Sequence, residues 1–483
     1  MKRTFELIDG KAAKFWQIEQ DGNTHTVCYG RIGTKGQAKT KTFADPSAMQ
    51  KDAEKLIKSK TKKGYVEVEA AQDSAPALDP EALEAQLAKL DADPSAQGRL
   101  VFGDWLQAAG HPWGTLITLD HTAQVDERDA ILADNPTIIG GLAERNVSFT
   151  WQQGFMDEVT ITSGGTSAVL GDGLRKLFTL PAARYLRRLV LDGAPSRFET
   201  HRDWDSSPTN IVQPFNAVIP ALAKAPKTLT ELAFGALPPT GASAYVGHPD
   251  LAAVAKVLPE LEVLEVQCSG QQGFGAFGFA KLRRLEVRFA NANATDLQAI
   301  RDAKLPALEQ LSVWLGGYVH CILDDVYAPE EWDEDNEDAL RYPESYPGSD
   351  LDLLEVYSST ASVQAREVAD FCQASWPASL KHLGIQSALL DAATLDAILS
   401  SELVARLDSL DLSRGSLNDQ GAAVVVRHAE RLAHLTRLDL SRNQLSEAGV
   451  KALKAALPKV DCSAQRGGTQ TPEFLFRYVA TME

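Results

Sequence analysis

The residues best suited to chemistry in this chain are basic and lie near its start, in residues 29–43 (YGRIGTKGQAKTKTF). Cationic side chains beside an aromatic ring are the residue types that contact phosphates and stack on bases. Lys39 and Lys41 are two residues apart, so on a strand they share one face and are the better phosphate candidates of the group. The candidate nucleic-acid-binding residues are Tyr29, Arg31, Lys35, Lys39 and Lys41.

Charge is segregated along the chain. Residues 1–66 hold 14 Lys/Arg and 7 Asp/Glu, whereas the remainder holds 34 and 58, and the whole chain has a net charge of −17. This asymmetry predicts two parts with different partners and argues against nucleic-acid binding along the full length.

Known catalytic patterns do not occur in the sequence, which has no P-loop, no G-x-S-x-G, no H-E-x-x-H and no Cys-x-x-Cys. His320 and Cys321 come nearest to a thiol nucleophile with its base, but a buried cysteine at a strand end is the simpler interpretation. We therefore predict a protein that is not an enzyme and that has no catalytic residues, metal site or cofactor.

Cysteine usage and hydropathy bear on location. The five cysteines are far apart and odd in number, which favours free thiols in a reducing compartment over a disulfide framework. No apolar run reaches the roughly 18 residues that span a bilayer, and the first residues lack an apolar signal segment. These features predict a cytoplasmic protein without membrane attachment.

The basic part has the pattern of a small sheet with one helix. Strands are predicted at 4–8, 14–19, 24–32 and 37–43, with a last short strand at 65–68. Asp45 and Pro46 are typical of a helix start, and Met49, Ala53 and Leu56 follow at helical spacing.

Residues 1–68 resemble a WGR domain, a small sheet-plus-helix module of poly(ADP-ribose) polymerases and many bacterial proteins. The resemblance covers 14–16, the motif Tyr29–Gly30–Arg31, the glycine turn at 32–37 and residues 39–43. It implies nucleic-acid binding through the motif, although the family's eponymous tryptophan is Tyr29 here. Two interpretations stand: Tyr29 and Arg31 contact nucleic acid, or they are framework residues of the sheet.

A polar, Pro-containing linker is predicted at 69–79, followed by a helical module at 80–125. The module resembles a short bacterial unit that often precedes leucine-rich repeats. We assign it no function.

From about residue 150 the pattern L-x-x-L-x-L recurs, with a degenerate first copy at Met156. The last four copies are spaced 29, 27 and 28 residues apart, which is the leucine-rich-repeat period. This predicts an α/β fold: a leucine-rich-repeat solenoid over 126–462, with parallel strands on a concave face, helices outside and a cap at 463–483. The final copies resemble the ribonuclease-inhibitor type, in which Asn443 satisfies backbone groups at the turn, whereas Gly415 takes that place in the preceding copy. The nine copies begin at Leu186, Leu229, Leu261, Leu282, Leu308, Leu351, Leu380, Leu407 and Leu435.

Strand alternation places a few large side chains on the concave surface of the repeats. Tryptophan, tyrosine and arginine anchor protein interfaces, so Arg284, Arg288, Trp314 and Tyr357 are the candidate protein-binding residues. The alternative for Trp314 is that the chain following it covers the ring.

An acidic insertion is predicted at 318–350. It could be a solvated loop, a partner-binding loop, a cation site or a dock for the basic domain. A calcium loop is disfavoured, because Asp338 stands where that loop needs glycine.

These patterns predict a bacterial adaptor, in which the repeat array binds a protein and the basic domain binds DNA, RNA or an acidic surface. The alternative is a protein-only regulator or inhibitor that acts through the concave face of the array. The sequence leaves the oligomeric state open.

Overall fold

The computed structural model describes part of the chain. Most of the linker, the acidic insertion, Lys35, Tyr357 and nearly all of the predicted cap lie outside it. The described residues are 2–9, 12–21, 23–31, 37–68, 78–140, 142, 146–163, 167–193, 214–235, 247–270, 273–289, 292–316, 363, 365–388 and 390–465.

The N-terminal part is a five-stranded antiparallel sheet with one helix, α1 (Pro46–Lys62), packed on one face. The Asp45 carboxylate caps the helix by accepting from the backbone N–H of Ala48 at 2.8 Å, which confirms the predicted helix start. Phe5, Trp16 and Ile18 from the sheet form a core with residues of the helix. The strands, in the spatial order β4-β3-β2-β1-β5, are β1 (Lys2–Asp9), β2 (Ala12–Asp21), β3 (Thr24–Arg31), β4 (Gln37–Thr42) and β5 (Val66–Val68).

Four helices follow and share one hydrophobic core with the large sheet. The Trp113 indole Nε1–H donates to the carbonyl of Gly154 at 2.7 Å, which fixes these helices to the first hairpin of that sheet. The helical module therefore packs on the repeat region as its first layer. The helices are α2 (Pro80–Ala92), α3 (Ala96–Ala108), α4 (Pro112–His121) and α5 (Val125–Asp134).

The rest is one eleven-stranded sheet in which each strand neighbours the next along the chain. Only the first pair is antiparallel, and every later pair is parallel. The strands are β6 (Val147–Gln152), β7 (Phe155–Thr162), β8 (Arg188–Asp192), β9 (Glu231–Phe234), β10 (Val263–Cys268), β11 (Arg284–Phe289), β12 (Gln310–Trp314), β13 (His382–Gln386), β14 (Ser409–Asp411), β15 (Arg437–Asp439) and β16 (Val460–Asp461).

Helices and short 3-10 turns connect these strands. Several of the helices begin at a side-chain cap, for example at Asp250, Asn293 and Ser446. The helices are α6 (Ser167–Leu177), α7 (Leu251–Val257), α8 (Ala294–Arg301), α9 (Ala365–Cys372), α10 (Ala392–Ser400), α11 (Asp419–Arg427), α12 (Ala429–Leu432) and α13 (Glu447–Ala456); the 3-10 turns are Pro181–Ala183, Ile219–Lys224 and Val404–Arg406.

The repeat leucines stack in register across the sheet. Leu264 pairs with Leu285, Leu285 with Leu311, and Leu311 with Leu383, and all four are buried. One strand and one helix have too little apolar surface to form a core alone, so stacking units bury a continuous one. The described copies of the motif thus coincide with strands.

The copy predicted at Leu351 lies outside the described residues. Strands β12 and β13, which belong to the copies at Leu308 and Leu380, pair directly with Leu311 opposite Leu383.

Candidate functional site

The predicted aromatic residue of the N-terminal domain is part of its framework. Tyr29 lies opposite Trp16 across β2 and β3, and its half-buried ring packs against the core beneath α1. Arg31, on the same face of β3, is exposed. The two residues of the motif are therefore placed differently, with the ring packed and the guanidinium at the surface.

Four cations meet where β2, β3 and the end of α1 converge. Arg31 lies opposite Lys14 across the sheet, and Lys60 of α1 interacts electrostatically with both Lys14 and Lys63. We call Lys14, Arg31, Lys60 and Lys63 the basic cluster. The cluster concentrates positive charge in one part of the domain.

Lys60 is the central member of the basic cluster. Its ammonium lies over the rings of Trp16 and Tyr65, 5.5 and 4.9 Å from their centres. Burial, followed by the charges of Lys63 and Lys14, lowers the pKa of Lys60. The aromatic faces and the negative end of the helix dipole compensate part of this repulsion.

The other predicted cations lie on the edge strand β4. Lys39 and Lys41 share one face of it and are exposed, as predicted, but Lys41 is engaged with Asp52 at 3.2 Å. A hydrogen bond from His25 at 2.8 Å lowers the pKa of Asp52 and keeps that carboxylate charged. Lys39 is therefore the better candidate of the two for a phosphate contact, because the charge of Lys41 is partly neutralised by Asp52.

The polar face of the large sheet carries a ladder of ion pairs. Arg188 donates to Glu265 at 2.9 Å, and Glu286 accepts from Arg284 at 2.9 Å and from Arg288 at 2.7 Å. These charges satisfy one another both within β11 and across strands, so this part of the face is preorganised and nearly neutral. Of the two predicted protein-binding arginines, Arg284 is 44% exposed and Arg288 only 15%.

Trp314 is not an exposed anchor. Its side chain is only 9% exposed, and the guanidinium groups of Arg288 and Arg414 lie over the ring at 4.5 and 5.0 Å from its centre. Arg414 was not among the residues predicted from the sequence. It lies in the turn after β14, in a left-handed conformation (φ 60°) that Arg442 adopts in the next unit (φ 55°).

Cys268, His248 and Asp296 are buried together beyond the end of β10. His248 Nε2 lies 3.9 Å from the Asp296 carboxylate, and neither ring nitrogen has a hydrogen-bond partner among the described residues. Burial raises the pKa of the Cys268 thiol well above its usual value. A thiol held neutral, without a base in hydrogen-bond contact, is a core residue and a poor nucleophile.

The same cluster predicts a pH dependence of stability. Burial lowers the pKa of His248 in the folded protein. At pH values below the ordinary pKa of histidine, the unfolded chain therefore binds the proton more readily than the folded chain does. The free energy of unfolding should therefore fall from about pH 7.5 to about 5.5. Urea titrations should show a smaller fall in the free energy of unfolding for His248→Phe, a substitution that keeps the contact with Phe274. An equal fall in both proteins would contradict this role.

Metal-ligand groups and membrane-spanning helices are both absent from the described residues. The described residues contain no group of three or more His, Cys, Asp or Glu side chains placed to hold a metal ion. Within the same residues, no helix is both long and apolar enough to cross a bilayer. The four described cysteines are free thiols, three of them buried.

Comparison with known proteins identifies the N-terminal part. Residues 1–72 match the WGR domain family. The same region is 48% identical over 65 residues to Protein YehF and 43% identical over 67 residues to the uncharacterized protein YfeS, both of Escherichia coli K12. Each match covers 14% of this chain, and it spans only 24% and 28% of those proteins.

Solved structures share only a distant likeness with the chain. A Bacteroides fragilis protein aligns over 97% of both chains with 20% identity and a TM-score of 0.43. An internalin of Listeria monocytogenes covers 60% of this chain and 69% of its own, with 15% identity and a TM-score of 0.24. At these scores neither likeness carries an argument about function.

Proposed function

We propose that this chain is a binding adaptor whose WGR domain binds nucleic acid and whose repeat array binds a protein. In this interpretation the eleven-stranded sheet is the inner surface of a leucine-rich-repeat solenoid, and its polar face is the concave one. The in-register leucines and the uninterrupted parallel order support it.

The basic cluster carries the nucleic-acid part of the proposal. Burial, followed by the charges of Lys63 and Lys14, lowers the pKa of Lys60, and a phosphate at this place would relieve the repulsion among the three ammonium groups. The neighbouring rings of Trp16 and Tyr65 hold Lys60 in place, so that little side-chain freedom is lost on binding.

The test titrates full-length protein into a labelled duplex of about 20 base pairs between about 50 and 200 mM salt. Lys60→Met keeps the apolar stem over the rings and removes the charge. We expect weaker binding and a salt dependence whose logarithmic slope is reduced by about 1, as for one lost phosphate contact. Fluorescence anisotropy measures both quantities.

Lys256→Met is the matched control, because Lys256 is an exposed lysine on α7 of the repeat array. It should leave binding and salt slope unchanged. If the wild-type protein does not bind duplex DNA or single-stranded RNA even at low salt, the alternative of a protein-only regulator is favoured. The cytoplasmic location and the absence of enzymatic activity remain predictions from the sequence.

A further inference from the structure

One side of α1 carries a straight row of lysines. An α-helix has about 3.6 residues per turn and rises about 1.5 Å per residue, so residues at successive intervals of four, three and four positions lie within an arc of about 60° and span about 16 Å. Four exposed lysines of α1 have this spacing, and we call them the lysine stripe: Lys51, Lys55, Lys58 and Lys62.

The lysine stripe points away from the sheet. The opposite side of α1 packs on the sheet through the buried residues Met49 and Ala53 and the partly buried Leu56. The stripe therefore faces solvent along the length of the helix. Its last member, Lys62, directly precedes Lys63 of the basic cluster, so the two cationic surfaces join at the end of α1.

The carboxylates of α1 leave the lysine stripe unpaired. Asp52 accepts from His25 at 2.8 Å and from Lys41 at 3.2 Å. Glu54 accepts from the side chain of Gln50 at 3.4 Å. Within the part of the chain that the structure describes, no stripe lysine forms a salt bridge. The stripe thus presents four cations in a row, and their charges are available to an anionic partner.

We propose that the lysine stripe binds along the backbone of duplex DNA, an inference that rests on the proposed binding of nucleic acid by the WGR domain. Each strand of a duplex has one phosphate about every 3.4 Å along the axis, so about five phosphates of one strand span the length of the stripe. The duplex is stiff over this length, which suits a row of cations on a straight helix. Contacts to phosphates carry no sequence information, so binding should be independent of base sequence.

The composition of α1 favours a duplex over other polyanions. Sites for single strands combine a basic surface with aromatic rings on which the bases stack, and α1 contains no aromatic residue. Helices that lie on a membrane bury an apolar face in it, whereas the apolar side of α1 is packed in the core of its own domain.

The test compares full-length wild-type protein with the variant K51Q/K55Q/K58Q/K62Q. Glutamine removes the charges and has a helix propensity close to that of lysine. Both proteins are titrated into a labelled duplex of about 20 base pairs between about 50 and 200 mM salt, and binding is followed by fluorescence anisotropy. We expect the logarithmic salt slope to fall by about 3 and the Kd at the lowest salt to rise at least about tenfold.

Two half-variants keep the test decisive if the fourfold variant does not fold, as judged by circular dichroism. K51Q/K55Q and K58Q/K62Q should each lower the slope by about half as much. The matched control removes the same charge from four exposed lysines of the repeat array and should leave both quantities unchanged. These control substitutions are K224Q, K227Q, K256Q and K451Q.

The outcomes separate this proposal from the one beneath it. If wild-type protein binds the duplex and the stripe variants bind it as well as the control does, the stripe is overturned and the basic cluster keeps its role. Binding to single-stranded oligothymidylate or to phosphatidylserine vesicles that the stripe variants lose as strongly as duplex binding overturns the assignment to duplex DNA. No duplex binding by wild-type protein counts against the proposed nucleic-acid function and therefore also against the stripe.

Discussion

Replacing Asn443 with alanine is expected to lower the free energy of unfolding of the repeat array by about 3 kcal/mol. The Asn443 side chain is fully buried in the turn after β15. Its Oδ1 accepts from the N–H of Leu417 at 3.1 Å, and its Nδ2 donates to the carbonyls of Leu412 and Leu440 at 2.9 and 3.0 Å. Alanine would leave these backbone groups buried without partners.

Urea unfolding followed by circular dichroism measures the loss. Asn418→Ala is the control, because Asn418 caps α11 and is only partly buried, so its loss should be about 1 kcal/mol. If Asn443→Ala proves no more destabilising than Asn418→Ala, the turn does not depend on the buried amide.

The second large effect is expected at Gly154, where alanine should destabilise the protein by more than about 3 kcal/mol. Gln153 and Gly154 both have positive φ (53° and 80°), which makes the tight turn between β6 and β7. A Cβ on Gly154 would lie 2.2 Å from Cγ1 of Ile117 and 2.8 Å from its Cα. The turn would have to withdraw from α4, which would break its hydrogen bonds with Trp113 and Asp120.

Gly275→Ala separates the steric effect from backbone strain. Gly275 also has a positive φ (64°), but no atom lies within 4 Å of a Cβ built there. Its substitution should therefore show only the conformational penalty of about 1 kcal/mol. Thermal unfolding of both variants gives the comparison, and equal losses would show that contact with Ile117 is unimportant.

Much of the architecture could be predicted from the sequence because it follows from local patterns. The start of α1 at Asp45, the start of α2 at Asp79 and the strands at the described leucine motifs each follow from short-range spacing. Asn443 was also identified correctly as the turn residue that satisfies backbone groups. The neighbouring Gly415 breaks that ladder for a steric reason, because a Cβ there would lie 2.8 Å from the carbonyl oxygen of Ala388.

The binding surfaces were less predictable, because they join residues that are distant in the sequence. Lys14 and Lys60 meet only because β2 lies beneath the end of α1, and no spacing rule connects them. Arg414 reaches Trp314 across an intervening strand and a long insertion. One sequence signal pointed to Arg414, because the last two repeats both read LSR after the strand. The arginines of these triplets, Arg414 and Arg442, have a left-handed backbone that disfavours a bulky residue.

The direct pairing of β12 with β13 has a consequence for how this protein can vary. Trp314 ends β12 and His382 begins β13, and these strands are hydrogen-bonded neighbours separated by about 4.8 Å. Between them, α9, Trp376 and Leu380 belong to the hydrophobic core, so a change of sequence that keeps the leucine register must come before α9. This junction is therefore a natural attachment point for new sequence. Because it adjoins the enclosed Trp314 indole, related chains could acquire different binding specificities there while the framework stays constant.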